Sequence, residues 1–201
     1  MTIVNVGYRS TNFWVISAGS SRLIVDLGWP GMAGKLFAEL ERKNIPVKEL
    51  RYGVATHYHI DHAGAAQDLK NKGMKLIVTP EQTAFIEPMT QWMKPDDRYT
   101  PIVTTDNILV ELEQSRAFLQ SIGFGGELVH TPGHSDDSVS LLLDSGEAFT
   151  GDLTPPGLAT EEQRDTIARS WRSLRDRGAR VIYAGHGPVR PFNIIDGGSI
   201  E

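Results

Sequence analysis

The sequence predicts an α/β fold in which strands and helices alternate through two successive halves, with the helices outside the sheets. Three observations carry this. Short runs rich in β-branched and aromatic residues, bounded by turn residues, recur along the chain. Segments with apolar residues at helical spacing fall between them. No Ser/Gly linker, composition break, repeat or low-complexity run divides the 201 residues, a length that suits one domain with at most a modest insertion.

The elements follow in order. TIVNV, NFWVIS and RLIVD read as strands, punctuated by Gly7 and by Gly19-Ser20. GWPG at 28–31 breaks the pattern. Met32, Ala33, Leu36, Phe37 and Leu40 then share one helical face until Asn44 and Pro46 end it. A strand over 52–55 runs into THYHIDHAG, a helix over about 63–72 stops at Gly73, and KLIVT is the next strand. Residues 81–92 read as helix, KPDDRYTP as loop, ILVEL as strand and SRAFLQSIG as a short helix, so 80–121 forms an insertion of helical character. Strands follow at ELVHT, SVSLLLD and EAFTG. Thr160 and Gln163 have capping-box spacing for a helix with Ile167, Trp171 and Leu174 on one face, and RVIYA delivers GHGP.

Composition narrows the chemistry. A formal net charge of −5 supplies no basic field, which points away from nucleic acid. No stretch approaches the roughly 18 consecutive apolar residues of a membrane span. The opening residues lack a charged segment followed by an apolar one, so the expected location is cytoplasmic. Cysteine is absent, which excludes disulfides, thiolate nucleophiles and cysteine metal ligands. Metal chemistry would rest on carboxylates and six histidines.

Those histidines are not scattered. His57 and His59 are two apart, so an extended strand end projects both imidazoles the same way, toward one ion. Asp61 and His62 follow where the chain turns into a helix, directed differently enough to serve a second ion. That helix begins with Ala63, Gly64, Ala65 and Ala66, small residues that permit close approach of a ligand. His134 in TPGH, Asp152 in TGD and His186 in AGH also follow expected strands, so four strand ends converge on one edge.

THYHIDHAG, TPGHSDDS, FTGD and AGHGP, in this order, resemble the successive metal motifs of the metallo-β-lactamase superfamily, and the match runs from the LIVDLG strand to GHGP. The resemblance implies a four-layer αβ/βα sandwich with a dinuclear site at one edge of the paired sheets. Carried over position by position, it implies His57, His59 and His134 as ligands of a first metal, and Asp61, His62 and His186 as ligands of a second. Asp152 matches the bridging carboxylate. His130 is left over and reads as structural, as does Tyr58, which alternates with the two ligands beside it; Arg190 reads as a solvated surface residue.

Within the superfamily, the absence of a cysteine ligand and the presence of Asp152 point away from antibiotic hydrolysis, and His59 stands where diiron flavoproteins carry Glu. The seven-ligand set resembles that of glyoxalase II-like thioesterases, lactonases and metal-dependent phosphodiesterases. Glyoxalase II itself adds a glutathione-binding helical domain, whereas only a short PVRPFNIIDGGSIE segment follows the GHG motif. The expected activity is metal-dependent hydrolysis of an ester, thioester or lactone carbonyl in a small-molecule substrate. The nucleophile is a hydroxide bridging two divalent ions, zinc foremost with iron or manganese as alternatives, and Asp61 relays a proton to the leaving group. A phosphodiester hydrolase with the same ligands is the first rival. A mononuclear iron enzyme similar to persulfide dioxygenases is the second. Phe85, Met89, Trp92, Met93 and Tyr99 of the insertion either form an apolar lid or pack it onto the body. The sequence assigns no oligomeric state.

Overall fold

The computed structural model describes residues 1–194. The first half builds a six-stranded sheet in chain order: β1 (Thr2–Asn5), β2 (Trp14–Ala18), β3 (Ser21–Val25), β4 (Tyr52–Val54), β5 (Lys75–Val78) and β6 (Ile108–Leu109). β1 to β3 are antiparallel, and from β3 onward the strands pair in parallel, with Leu23 opposite Tyr52 and Val25 opposite Val54. Between them lie helices α1 (Ala33–Arg42), α2 (Ile60–Ala63), α3 (Ala66–Lys70) and α4 (Pro80–Thr83). Helix α5 (Leu112–Ser121) leads to a second, five-stranded sheet. It contains β7 (Gly126–His130), β8 (Val139–Leu143), β9 (Glu147–Gly151), β10 (Val181–Ala184) and β11 (Arg190–Pro191), ordered β11-β10-β9-β8-β7, with helix α6 (Arg164–Asp176) between β9 and β10.

The alternation of side chains along single strands dictates the layers. Trp14 and Ile16 of β2, with Leu23 and Val25 of β3, meet Leu141 and Leu143 of β8 and Phe149 of β9 in the apolar cluster between the sheets. Their neighbours Val15 and Ile24 face the other way, against Leu36 and Leu40 of α1 and Leu69 of α3. In the second sheet Leu142 and Ala148 turn outward to Ile167, Trp171 and Leu174 of α6. Helix, sheet, sheet, helix is the four-layer sandwich that the resemblance implied. The edge of β7 is covered by α5, where the Leu128 amide donates to Ser115 Oγ at 3.0 Å.

The structure corrects five local expectations. The helix expected over 63–72 begins at Ile60 and splits into α2 and α3 around Gly64 and Ala65. The helix expected over 81–92 is only α4 plus a 3₁₀ turn at Pro88–Trp92, because Pro88 has no amide hydrogen to continue an α-helix. The ILVEL strand pairs only as far as Leu109, and α5 starts at Leu112 rather than in SRAFLQSIG. Thr160 and Gln163 form no capping box: Gln163 is the N-cap residue of α6, and the Thr160 hydroxyl donates to Gln163 Oε1 at 3.1 Å. The capping box stands instead at Thr79 and Gln82, where the Gln82 side chain also donates to the Ala55 carbonyl at 2.8 Å. That contact ties the start of the 80–121 segment to the strand end preceding His57. Further along, the buried Lys70 ammonium holds Asp106 at 2.6 Å and Asn107 at 2.5 Å, and Gln67 Oε1 accepts from the Val103 amide at 2.8 Å. The irregular stretch is thereby fastened to α3.

Candidate metal centre

The C-terminal ends of β4, β7, β9 and β10 open on the same edge, where open α/β sheets place their ligands. β4 delivers His57 and His59, and the turn into α2 delivers Asp61 and His62. The loop after β7 brings His134, β9 ends one residue before Asp152, and β10 ends two residues before His186. All seven residues singled out in the sequence meet here.

Their donor atoms form two groups. His59 Nδ1 lies 3.1 Å from His57 Nε2 and 3.0 Å from His134 Nε2. One ring nitrogen carries at most one proton, so it cannot donate to both. Tetrahedral nitrogen ligands at about 2.0–2.1 Å from zinc stand about 3.3 Å apart, close to this spacing. In the second group Asp61 Oδ2 is 3.4 Å from His62 Nε2 and 3.2 Å from His186 Nε2. Asp152 touches both: its Oδ1 is 3.4 Å from His62 Nε2, while its Oδ2 is 3.3 Å from His186 Nε2 and 3.7 Å from His134 Nε2. His62 Nε2 and Asp152 Oδ1 are buried yet have no hydrogen-bond partner. Buried polar atoms are nearly always paired, and two such atoms facing each other fit a cation between them.

Partners behind the donor atoms fix which nitrogen faces inward. Asp26, buried just beyond β3 with φ +62°, accepts the Thr56 amide and hydroxyl at Oδ1, both at 2.8 Å, and His62 Nδ1–H at Oδ2, at 2.9 Å. Because the Thr56 proton is committed to Asp26, His57 Nδ1–H donates to Thr56 Oγ1 at 3.1 Å, which turns His57 Nε2 inward. His186 Nδ1–H donates to the Ser10 carbonyl at 2.6 Å, and the Thr11 hydroxyl reaches Asp61 Oδ2 at 3.0 Å. Asp137 accepts the Tyr58 amide at 2.7 Å. None of Asp26, Thr56, Ser10, Thr11 and Asp137 was singled out from the sequence. An acidic residue closing the LIVD strand was the one available signal.

Glycine is required at two of these turns. Gly151 has φ +53° and faces the Thr56 side chain; at Gly185 a Cβ would sit 2.5 Å from Asp152 Oδ1 and 2.6 Å from His62 Cε1. Burial pushes the His57 and His134 imidazoles below their ordinary range, favouring the neutral form that ligates. For His62 burial is the largest influence and acts in the same direction, but Asp26 and Asp152 together outweigh it and raise the pKa well above the ordinary value. Burial likewise opposes ionisation of Asp152, and the imidazoles of His62, His186 and His134 reverse this, lowering it.

The leftover residues lie elsewhere. His130 donates to the Asp136 carbonyl at 2.8 Å, Tyr58 is buried in the cluster beneath α1, and Arg190 lies in β11, paired with Ile182. Of the five apolar residues of the 80–121 stretch, Phe85, Met89, Met93 and Tyr99 join that same cluster. Trp92 alone is largely exposed, and it lines a cleft of about 370 Å³ with His59, Ile60 and Asp61. A smaller cleft of about 140 Å³ is lined by His134, Asp136 and Glu162.

Comparison with known proteins identifies the family. Residues 6–186 match the model of the metallo-beta-lactamase superfamily. Beta-lactamase-like protein 2 homolog of Drosophila melanogaster is 28% identical over 185 residues, covering 90% of this chain and 60% of that protein. The atrochrysone carboxyl ACP thioesterase nsrC of Aspergillus novofumigatus is 30% identical over 185 residues, covering 90% and 50%. The chain thus spans only about half to three fifths of the length of these relatives. Among solved structures, a metallo-beta-lactamase family protein from Thermus thermophilus superposes with a TM-score of 0.70 at 20% identity, covering 94% of this chain and 74% of that one. A Cronobacter sakazakii metallo-beta-lactamase with a HARLDQ motif gives 0.69 at 22%, covering 92% and 78%. These structural likenesses concern the fold; with the family match over 6–186, they make the chain a member of the metallo-beta-lactamase superfamily.

Proposed function

We propose that the chain is a hydrolase of ester, thioester or lactone carbonyls that works with two divalent ions, zinc foremost, held by imidazole and carboxylate donors that also suit iron or manganese. The observation that carries this is the convergence of His57, His59 and His134 and of Asp61, His62 and His186, with Asp152 oxygens 3.4 Å from His62, 3.3 Å from His186 and 3.7 Å from His134 and two buried donor atoms left unpaired. In this reading His57, His59 and His134 hold one ion, Asp61, His62 and His186 hold the other, and Asp152 spans both. Two divalent ions bound there would lower the pKa of a bound water from its bulk value toward neutrality and would polarise the carbonyl under attack. The chain's own groups do the rest. Donation from the outer nitrogens of His57, His62 and His186 to Thr56, Asp26 and Ser10 leaves Nε2 of each as the atom that faces the site. Asp61 faces the cleft with Oδ2 committed to Thr11, which leaves Oδ1 to pass a proton to the departing group. Asp61→Asn is expected to cost at least about tenfold in kcat, and full turnover with complete metal content would remove Asp61 from that role.

A carbonyl substrate is favoured over a phosphodiester by the clefts themselves. Among the described residues, neither is lined by lysine or arginine, the smaller is bordered by carboxylates, and the larger has Trp92 and Ile60 at its side. Relatives that carry a thioesterase name support the same choice. Trp92→Ala is expected to raise KM about tenfold for an aryl or long-chain acyl thioester, from roughly 50 Å² of lost apolar contact at about 25 cal/mol per Å². An acetyl thioester should be turned over unchanged, and an equal loss on both would show that Trp92 does not contact the acyl group.

The reaction class is tested by metal analysis together with parallel assays on a thioester, a lactone and bis-nitrophenyl phosphate. Two ions per chain with turnover of the carbonyl substrates is the expected result. Preferential phosphodiester cleavage would favour the first rival. A single iron per chain, with oxygen consumed on a persulfide, would overturn the hydrolase reading.

A further inference from the structure

The turn between β1 and β2 lies far in sequence from the metal motifs, yet it reaches two of the seven donor residues. Both belong to the same group. The Ser10 carbonyl accepts His186 Nδ1–H at 2.6 Å, and the next residue, Thr11, offers its hydroxyl to Asp61 Oδ2 at 3.0 Å. The direction of that second bond is fixed by a third. Trp29 Nε1 lies 3.1 Å from Thr11 Oγ1, and an indole N–H can only donate. Thr11 must therefore accept from Trp29, and its one proton is left for Asp61 Oδ2, the oxygen that also faces His62 and His186.

The turn is held on both flanks. The Asn12 amide donates to the Gly185 carbonyl at 2.7 Å, and its side chain donates to Ala184 at 3.0 Å and Gly187 at 2.8 Å. Trp29 is pinned in turn, with its amide donating to Tyr8 Oη at 3.0 Å and the Arg9 guanidinium 4.6 Å above its ring. Thr11 itself is 2% exposed, so water does not compete for its hydroxyl. Nothing in residues 8–12 hydrogen-bonds to the side chains of His57, His59 or His134.

We propose that Thr11, aimed by Trp29, is a positioning residue for the second metal ion alone: it holds Asp61 Oδ2 toward His62 and His186 while Ser10 holds His186. The proposal rests on the two-ion reading above. Partners behind metal ligands are worth about 10–100-fold in affinity, and here the whole loss should fall on one ion.

The test is stepwise removal of Zn²⁺ from the purified chain by a chromophoric chelator, with Co²⁺ substitution to read each site by its visible absorption. Thr11→Val is expected to keep the first ion at wild-type affinity and to bind the second about 10–100-fold more weakly. Thr11→Ser, which restores the hydroxyl, should return the second ion to within about threefold of wild type. Should Thr11→Val not fold, Trp29→Phe withdraws the donor that aims Thr11 and is read the same way. Wild-type affinity for both ions in Thr11→Val would overturn the proposal, as would an equal loss of both or a Thr11→Ser chain as defective as Thr11→Val. A wild-type chain that takes up one ion only would end the two-ion reading, and the proposal with it, before any variant is measured.

Discussion

Asp152→Ala is expected to lower kcat/KM for a thioester by at least about a thousandfold, roughly 4 kcal/mol of transition-state stabilisation, and to leave at most one ion bound per chain. Asp152 is the residue whose two oxygens face donor atoms of both groups: Oδ1 faces His62, and Oδ2 faces His186 and His134. The proposed ligand set brings two carboxylates to two divalent charges, the rest being neutral imidazoles. Deleting one carboxylate raises the net charge of the filled site while removing the group that sits between the ions, so their repulsion is offset least where it is greatest. Unfolding does not account for such a loss. The Asp152 side chain belongs to none of the three apolar clusters, so its removal opens no cavity in the core. The metal-free variant should therefore remain folded, melting below the metal-free wild type at neutral pH because His62 loses one of the two carboxylates that favour its charge. Elemental analysis beside kcat/KM decides the matter, and two retained ions with undiminished hydrolysis would end the dinuclear reading.

The seven candidate donor residues were legible in the sequence because each lies within a few residues of a strand end: β7, β9 and β10 run parallel in one sheet and present their ends together, and the end of β4 meets them from the other sheet. His57 and His59 needed only the two-residue period of extended chain, and the layers needed only the alternation of Val15 with Trp14 and Ile16. The groups that orient the donors were illegible for a physical reason. Thr11 lies 50 residues from Asp61, and Ser10 lies 176 from His186, so neither contact has a local signature. Asp26 reads as an ordinary strand terminator. Its left-handed backbone, which turns the carboxylate beneath α2, is visible only once the fold has formed. The 80–121 segment departs from expectation where apolar spacing meets proline. Phe85, Ile86 and Met89 suit a helix, but Pro88 and packing onto the first-sheet helices break it into single turns and leave Trp92 alone facing the cleft.

Asp26→Asn preserves shape and volume and is nevertheless expected to cost the second ion about 100-fold in affinity, at the upper end for groups behind a metal ligand. With the amide oxygen keeping the two Thr56 hydrogen bonds, the amide nitrogen falls where Oδ2 faces His62 Nδ1 at 2.9 Å. A carboxylate there accepts and holds the proton on Nδ1; an amide donates and drives it to Nε2, the atom that would ligate. The same substitution should change how the metal-free chain responds to pH. Burial opposes charge on His62, yet Asp26 and Asp152 raise its pKa well above 6.5. A pKa raised on folding contributes stability that is complete below the unfolded value of about 6.5 and is lost as pH rises through the folded value. His57 and His134, whose pKa values fall on folding, are neutral in both states above 6.5 and add no slope there. The metal-free wild type should therefore lose thermal stability as pH climbs from 6.5, while its zinc affinity grows because the ion no longer competes with the His62 proton. Asp26→Asn should flatten the first trend and weaken the second ion at every pH. An asparagine variant that keeps both the wild-type pH slope and the wild-type second-site affinity would show that Asp26 does not govern the His62 proton.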